Sequence, residues 1–145
     1  MKIVEMTIDM YEEVYALWER AGIGLGWSDS KYGIKRMLER NQGLCLVIKE
    51  ESRILGVVLG GFDGRRGYVH HLAVDPRYQR KGLGRKLMDE LMKRFLDMRI
   101  HKVHLFIDVH NKKVIDFYRK LGWFVRDDLI MMSYDLKETH PNLYK

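Results

Sequence analysis

The chain has 145 residues, of which 46% are hydrophobic and 32% are charged, a balance that excludes a disordered or collagen-like protein. Its 26 lysine and arginine residues against 20 acidic ones give a net charge of +6, which favours an anionic partner. The single cysteine, Cys45, excludes an internal disulfide and a cysteine-rich zinc site, and no apolar run approaches the ~18 residues of a membrane span. We expect one soluble, cytoplasmic domain over residues 1–145, with its core in 1–136 and a polar tail in 137–145.

The first half of the chain predicts a strand, two helices and three consecutive antiparallel strands. The expected elements are a strand over 2–6, helices over 9–20 and 28–40, and strands over 44–50, 53–61 and 68–75. Ser28 or Asp29 is the expected cap of the second helix. Between the helices, residues 22–27 combine three glycines with an exposed Trp27, which is a candidate wall of a substrate site. Cys45 lies in an apolar run and is expected to fill the core.

The second half alternates helices with strands. Apolar residues recur at helical spacing over 82–97, a strand follows over 103–109, and a second helix over 111–121 ends at Gly122. Two closing strands are expected over 123–126 and 129–136. The order predicts a mixed α+β fold, with a mostly antiparallel, twisted sheet of about seven strands flanked by four helices.

The turn between the strand over 68–75 and the next helix has the composition of a phosphate site. Residues 79–84 read Gln-Arg-Lys-Gly-Leu-Gly, so two glycines and two basic residues stand at a helix N-terminus. Unpaired backbone N–H groups and the helix dipole favour anions there. The turn lacks the Gly-Lys-Ser/Thr of a Walker A loop and the third glycine of the dinucleotide fingerprint, which disfavours a nucleoside triphosphate or NAD.

Residues 72–87, which read LAVDPRYQRKGLGRKL, resemble the pyrophosphate-binding motif of the GNAT superfamily of acyl-CoA-dependent N-acetyltransferases. Residues 111–123 resemble that family's Asn-x6-Tyr helix, followed by Leu-Gly-aromatic. The order of elements also matches over 1–136, and within the superfamily residues 17–20, 26–29 and 60–67 are similar to small stand-alone bacterial members of the YpeA type.

The resemblance implies acetyl-CoA as co-substrate and a sheet splayed between its fourth and fifth strands. It implies that backbone groups of one strand pair with the pantetheine arm, while N–H groups of the following turn bind the pyrophosphate. Asn111 either binds the cofactor or caps its helix. The implied cofactor-binding residues are Leu72, Ala73, Val74, Gln79, Arg80, Lys81, Gly82, Leu83, Gly84, Arg85, Asn111 and Tyr118.

Three residues are candidates for proton transfer. Tyr118 matches the family's donor to the departing thiolate, and His70 matches a histidine of members that act on arylalkylamines, which makes it the first candidate for the general base. Asp108 competes for that role, because it matches a strand-end glutamate of protein N-terminal acetyltransferases. Strand alternation places Tyr68, His70, Leu72 and Val74 on one face of the sheet, and His71 and Ala73 on the other.

The leading hypothesis is acetyl transfer from acetyl-CoA to a primary amine, by direct attack in a ternary complex and without a metal. A ribosomal-protein N-terminal acetyltransferase is the alternative within the class, and a homodimer is a further expectation. A basic nucleic-acid-binding module and a CoA-sensing module without catalysis are the alternatives outside it; no nucleic-acid-binding signature accompanies the charge. An acceptor pocket, if aromatic, would be lined by Trp18, Trp27, Tyr32 and Met37, although core packing also explains such residues.

Overall fold

A computed structural model describes residues 1–144, and the chain divides into two units, Met1–Asp108 and a second that begins at Val109. No helix among the described residues is long and apolar enough to cross a membrane.

The first unit contains one five-stranded sheet in the order β1-β2-β3-β4-β5. The first four strands are antiparallel to their neighbours, and β5 joins β4 in parallel. In chain order, the elements are β1 (Lys2–Glu5), α1 (Tyr11–Arg20), α2 (Lys31–Arg40), β2 (Cys45–Glu50), β3 (Arg53–Phe62), β4 (Gly67–Val74), α3 (Leu83–Asp97) and β5 (Val103–Leu105). Short 3-10 turns cover Ile8–Met10, Trp27–Asp29 and Pro76–Tyr78.

Helices cover both faces of this sheet. On one face α1 and α2 enclose an apolar cluster that includes Trp18, Val57 and Leu59, and Cys45 fills a core position in it, as predicted. On the other face α3 packs its apolar side against the sheet, where a Cβ on Gly56 would come within 3.0 Å of Leu87 Cδ1. This three-layer packing buries both sides of the hydrophobic strands.

The β4–β5 pair confirms the splay that the resemblance implies. Within residues 1–144, β5 pairs with only the first three residues of β4, at Gly67, Tyr68 and Val69. β5 is also shorter than predicted, because the strand expected over 103–109 ends at Leu105. The remainder of β4, from His70 to Val74, has β3 on one side and an edge without a β5 partner on the other.

The second unit contains α4 (Lys112–Lys120), α5 (Leu136–Thr139) and a 3-10 turn over Pro141–Leu143. Asn111 caps α4, since its Oδ1 accepts a hydrogen bond from Val114 N at 3.4 Å. Tyr118 is buried, with its ring centroid 5.1 Å from that of Phe117 and 5.5 Å from that of Trp123. The polar tail predicted over 137–145 contains most of α5, which begins at Leu136 with Asp135 as its cap.

The two predicted closing strands, over 123–126 and 129–136, are wrong. Residues 123–135 form neither helix nor strand, and their apolar side chains are exposed apart from half-buried Trp123, with Ile130 88% and Met132 86% accessible. The run Leu129–Met132 is apolar at four consecutive positions, so it does not specify one buried face, and the described part of the second unit offers no strand to pair with. The described sheet has five strands instead of seven, and α5 brings the helices to five instead of four.

Candidate active site

The predicted phosphate turn lies between β4 and α3. Arg80 (φ 66°) and Gly82 (φ 78°) both adopt the left-handed conformation, and Gly82 is the N-cap of α3. Leu83 is buried and anchors the first turn of the helix, which contains no acidic residue. A Cβ built on Gly82 would meet no atom within 4 Å. The helix N-terminus therefore faces open space, which fits the phosphates of coenzyme A.

Basic side chains gather around this turn. The ring of Tyr78 has three cations near it, with Lys81 Nζ at 5.3 Å, Arg53 Cζ at 5.7 Å and Arg77 Cζ at 6.0 Å from its centroid. Arg80 is exposed on the same turn. Cation–π contacts hold charge beside the helix N-terminus, where it raises the local positive potential.

The buried carboxylate of Asp75 stabilises the start of the turn between β4 and α3. Asp75 is fully buried at the end of β4, and its Oδ2 pairs with Arg20 and Arg77, each at 3.1 Å. Its Oδ1 accepts a hydrogen bond from Arg77 N at 3.0 Å. Gln79, predicted to bind cofactor, donates from Nε2 to Val74 O at 3.1 Å and so helps to shape the turn. Asp75 was not predicted as a site residue, although an Asp-Pro pair at a strand end is a turn signal.

The hydrogen bond from Arg77, supported by the charges of Arg77 and Arg20, lowers the pKa of Asp75 from 3.8 to about 2. Because the folded pKa is depressed, its stabilisation is present above pH 3.8 and is lost as the pH falls through about 2. We expect the free energy of unfolding to fall by about 1–2 kcal/mol more in the wild type than in Asp75→Asn between pH 5 and pH 2. Urea titrations at both pH values measure the free energy of unfolding, and Asp97→Asn, at an exposed aspartate, is the control. An equal loss of stability between the two pH values in the wild type and in Asp75→Asn would contradict this expectation.

A β-bulge interrupts β4 next to its free edge. His70 lies opposite Leu59 and Ala73 lies opposite Val57. Two residues of β4, His71 and Leu72, therefore lie opposite the single residue Val58 of β3. His71 has a φ of 50°. The extra residue shifts the side-chain alternation by one position.

The predicted assignment of residues to the faces of β4 is therefore wrong beyond His70. Leu59 and Val57 both belong to the cluster under α1 and α2, so His70 and Ala73 share that face. Val74 lies opposite Gly56 and faces α3 instead. Simple alternation fails here because it assumes one residue on each strand at every step.

His70 lies half-buried in a row of aromatic rings on the α1–α2 face. Its ring is 6.4 Å from that of Tyr68 and nearly parallel to it, and Tyr68 is 6.5 Å from Phe106 with the same orientation. Burial, followed by the neighbouring charge of His71, lowers the pKa of His70, while Asp29 opposes the shift. A neutral imidazole at pH 7 can accept a proton.

His71 forms a pair with Asp29 that sequence analysis did not predict. Its Nε2 lies 2.8 Å from Asp29 Oδ1, and Trp18 Nε1 donates to the His71 carbonyl at 3.2 Å. Asp29 is free to do this because it does not cap α2; Ser30 does, through a bond from Gly33 N. This pair could not be predicted from strand alternation, because alternation without a bulge assigns His71 and His70 to opposite faces of the sheet.

The other predicted residues are distributed as follows. Asp108 is exposed, three residues after β5, and Tyr118 lies in the second unit, where burial raises its pKa. Trp18 is fully buried and cannot line a pocket, whereas Trp27 and Tyr32 are exposed. Residues 1–144 contain no group of three or more His, Cys, Asp or Glu side chains placed to hold a metal ion.

Comparison with known proteins identifies the family. The model of the acetyltransferase (GNAT) family matches residues 7–123. An acetyltransferase of Sodalis glossinidius is 32% identical over 95% of this chain and 97% of its own length, and one of Pectobacterium atrosepticum is 35% identical over 85% and 87%. The PaiA N-acetyltransferase of Thermoplasma acidophilum, solved with coenzyme A, shares the fold at a TM-score of 0.78 and 22% identity, over 87% of this chain and 91% of that one. The chain therefore belongs to the GNAT family of acetyltransferases, with acetyl-CoA as its co-substrate.

Proposed function

We propose that the protein transfers the acetyl group of acetyl-CoA to a primary amine, by direct attack of the amine on the thioester within a ternary complex. The observation that carries the proposal is the left-handed Gly82 at the N-terminus of α3, with open space before it and basic side chains around it. The unpaired edge of β4 from His70 to Val74 supports it, because an extended arm with amide groups can pair with a strand edge.

Cysteine does not take part in the proposed reaction. Cys45 is buried, and desolvation raises its pKa to about 11, so it is not available as an acyl-accepting thiolate. Direct attack needs instead a neutral amine and a proton for the departing thiolate. Family resemblance assigns the donor to Tyr118, whose raised pKa keeps the phenol protonated at neutral pH. For the proton acceptor, it offers His70 first and Asp108 second.

Turnover of acetyl-CoA with a panel of acceptors tests the proposal. The panel contains small primary amines, a peptide with a free N-terminus and a peptide with an internal lysine; CoA release and the acetylated product are measured. Amine-dependent product is the expected result. A preference for the free N-terminus would favour the peptide-acetylating alternative, and binding of acetyl-CoA without any turnover would contradict the proposal in favour of a CoA sensor.

Tyr118→Phe tests the proton donor. The change removes the phenol oxygen and leaves the ring contacts with Phe117 and Trp123 in place. Because general acid catalysis contributes about 100-fold or more, we expect kcat to fall at least 10-fold, and the affinity for acetyl-CoA to change much less than kcat because the ring remains in place. Tyr134→Phe, at a tyrosine that is 74% exposed, is the matched control. Full kcat in Tyr118→Phe would remove this residue from the mechanism.

A further inference from the structure

We propose that His71, held by Asp29, is the group that takes the proton from the acceptor amine, in place of His70. The inference rests on the proposed function, since it names the proton acceptor of the same reaction. His71 is then the catalytic residue and Asp29 its positioning residue.

A hydrogen bond to Asp29 orients the imidazole of His71. Asp29 Oδ1 lies 2.8 Å from His71 Nε2, and an ionised carboxylate can only accept, so Nε2 carries the hydrogen. The lone pair is then on Nδ1, for which residues 1–144 supply no hydrogen-bond partner. A carboxylate on the far nitrogen fixes the tautomer and stabilises the imidazolium once it forms.

Both members of the pair are held in place by further hydrogen bonds. Asp29 Oδ2 accepts from Gly26 N at 2.9 Å, and the carbonyl of Asp29 accepts from Tyr11 Oη at 2.7 Å. On the other side, Trp18 binds the His71 carbonyl and packs its ring against the imidazole, with centroids 5.2 Å apart. Fixed partners of this kind preorganise a proton acceptor.

His71 lies in the part of β4 that is expected to pair with the cofactor. The bulge places His71 beside Leu72, at the edge of β4 that β5 leaves unpaired. The hydrogen bond to Asp29 also links His71 to residues 26–29, which contain the 3-10 turn Trp27–Asp29. Trp27 is exposed in this turn. His71 retains 24% of its side-chain exposure, so a ligand on this face can reach it.

His70 lacks these features. Its ring stacks beside Tyr68, and within residues 1–144 its side chain has no hydrogen-bond partner to fix the tautomer. It is the natural comparison, because it is the adjacent residue on the same strand, and Trp18, which packs against His71, belongs to the cluster on the face of His70.

Atoms, electrons and charge are conserved in the proposed step. The ammonium form of the acceptor gives one proton to His71 Nδ1, and the nitrogen lone pair attacks the thioester carbonyl carbon. The C–N bond forms, the C–S bond breaks with its electron pair going to sulfur, and the thiolate takes a proton from the donor. The new amide nitrogen returns its second proton to the donor, and the imidazolium releases its proton to water.

The test compares His71→Ala with the matched variant His70→Ala, using an amine that the wild type acetylates. We expect kcat for His71→Ala to fall at least 30-fold, the affinity for acetyl-CoA to stay within threefold, and free imidazole to restore activity in a dose-dependent way. His70→Ala should lose less than fivefold and gain nothing from imidazole. Rescue of His70→Ala alone, or equal insensitivity of both variants, would overturn the assignment.

A spectroscopic measurement tests the positioning role of Asp29 without any acceptor. Long-range ¹H–¹⁵N NMR of the imidazoles should find the Nε2–H tautomer at His71 in the wild type and a mixture of tautomers in Asp29→Asn. The Nδ1–H tautomer in the wild type, or no change in the variant, would overturn the pair. Failure of the wild type to acetylate any amine would instead overturn the proposed function, and with it this role.

Discussion

Replacing Gly82 with glutamate should lower the affinity for acetyl-CoA at least 100-fold, or about 3 kcal/mol in binding free energy. Gly82 adopts a φ of 78° at the N-cap of α3, and a side chain there would extend into the open space before the helix. That space is where the pyrophosphate is expected to meet the N–H groups. A carboxylate would occupy the anion site with its own negative charge. Isothermal titration with acetyl-CoA measures the effect.

Two further variants separate charge from backbone strain. Gly64→Glu is the matched control, because Gly64 also has a positive φ (99°) and a Cβ there would meet no atom within 4 Å. Gly64 differs from Gly82 in its place, since it lies in the β3–β4 turn and not at the start of α3. It should bind acetyl-CoA as the wild type does. Gly82→Ala introduces the strain without the charge and should lose less than tenfold. Equal affinity of Gly82→Glu and the wild type would place the pyrophosphate elsewhere.

Gly60→Ala should lower the free energy of unfolding by about 3 kcal/mol, because overpacking at a rigid position costs about 1–3 kcal/mol or more. A Cβ at Gly60 would lie 2.6 Å from Leu44 O and 2.7 Å from Leu91 Cδ1. Leu91 has a flexible end, but the Leu44 carbonyl does not move freely, since it accepts a hydrogen bond from Gly60 N at 2.9 Å. The sheet and α3 must therefore separate locally. Chemical denaturation measures the loss.

Gly61→Ala is the control for that experiment. The two glycines are adjacent on β3 and face opposite sides of the sheet, and a Cβ on Gly61 would meet Met37 Cε at 3.6 Å, an ordinary contact. Its stability should stay within about 1 kcal/mol of the wild type, with a gain if the reduced freedom of the unfolded chain dominates. A similar loss in both variants would mean that strand propensity, and not the clash at Leu44, explains the effect.

The sequence predicted those features that depend on local pattern. The glycines of the phosphate turn, the cap at Asn111 and the core position of Cys45 all follow from a few neighbouring residues. The β2–β3 hairpin follows from two apolar runs joined by a short polar turn, and α3 follows from a hydrophobic period of 3.6 residues. Each of these local structures is present in the fold, because nothing distant has to be known for it to form, whereas phosphate binding at the turn stays a prediction.

Features that depend on pairing between distant residues were missed. The bulge at His71 arises from the register of β3 against β4, and Asp29 reaches His71 across 42 positions of the chain. The burial of Asp75 requires Arg20, 55 positions away. Residues 129–136 show the reverse case: their composition favours a strand, but the described part of the second unit supplies no strand edge to complete its hydrogen bonds.

The burial of Cys45 has a practical consequence for the experiments above. A thiol that is 1% exposed, with its pKa raised to about 11, reacts very slowly with disulfide and maleimide reagents near neutral pH. Free coenzyme A is then the only fast-reacting thiol in an assay mixture, so its release can be followed continuously with a chromogenic disulfide. The signal needs no correction for the protein, even at high enzyme concentration, and every variant proposed here can be compared on the same scale.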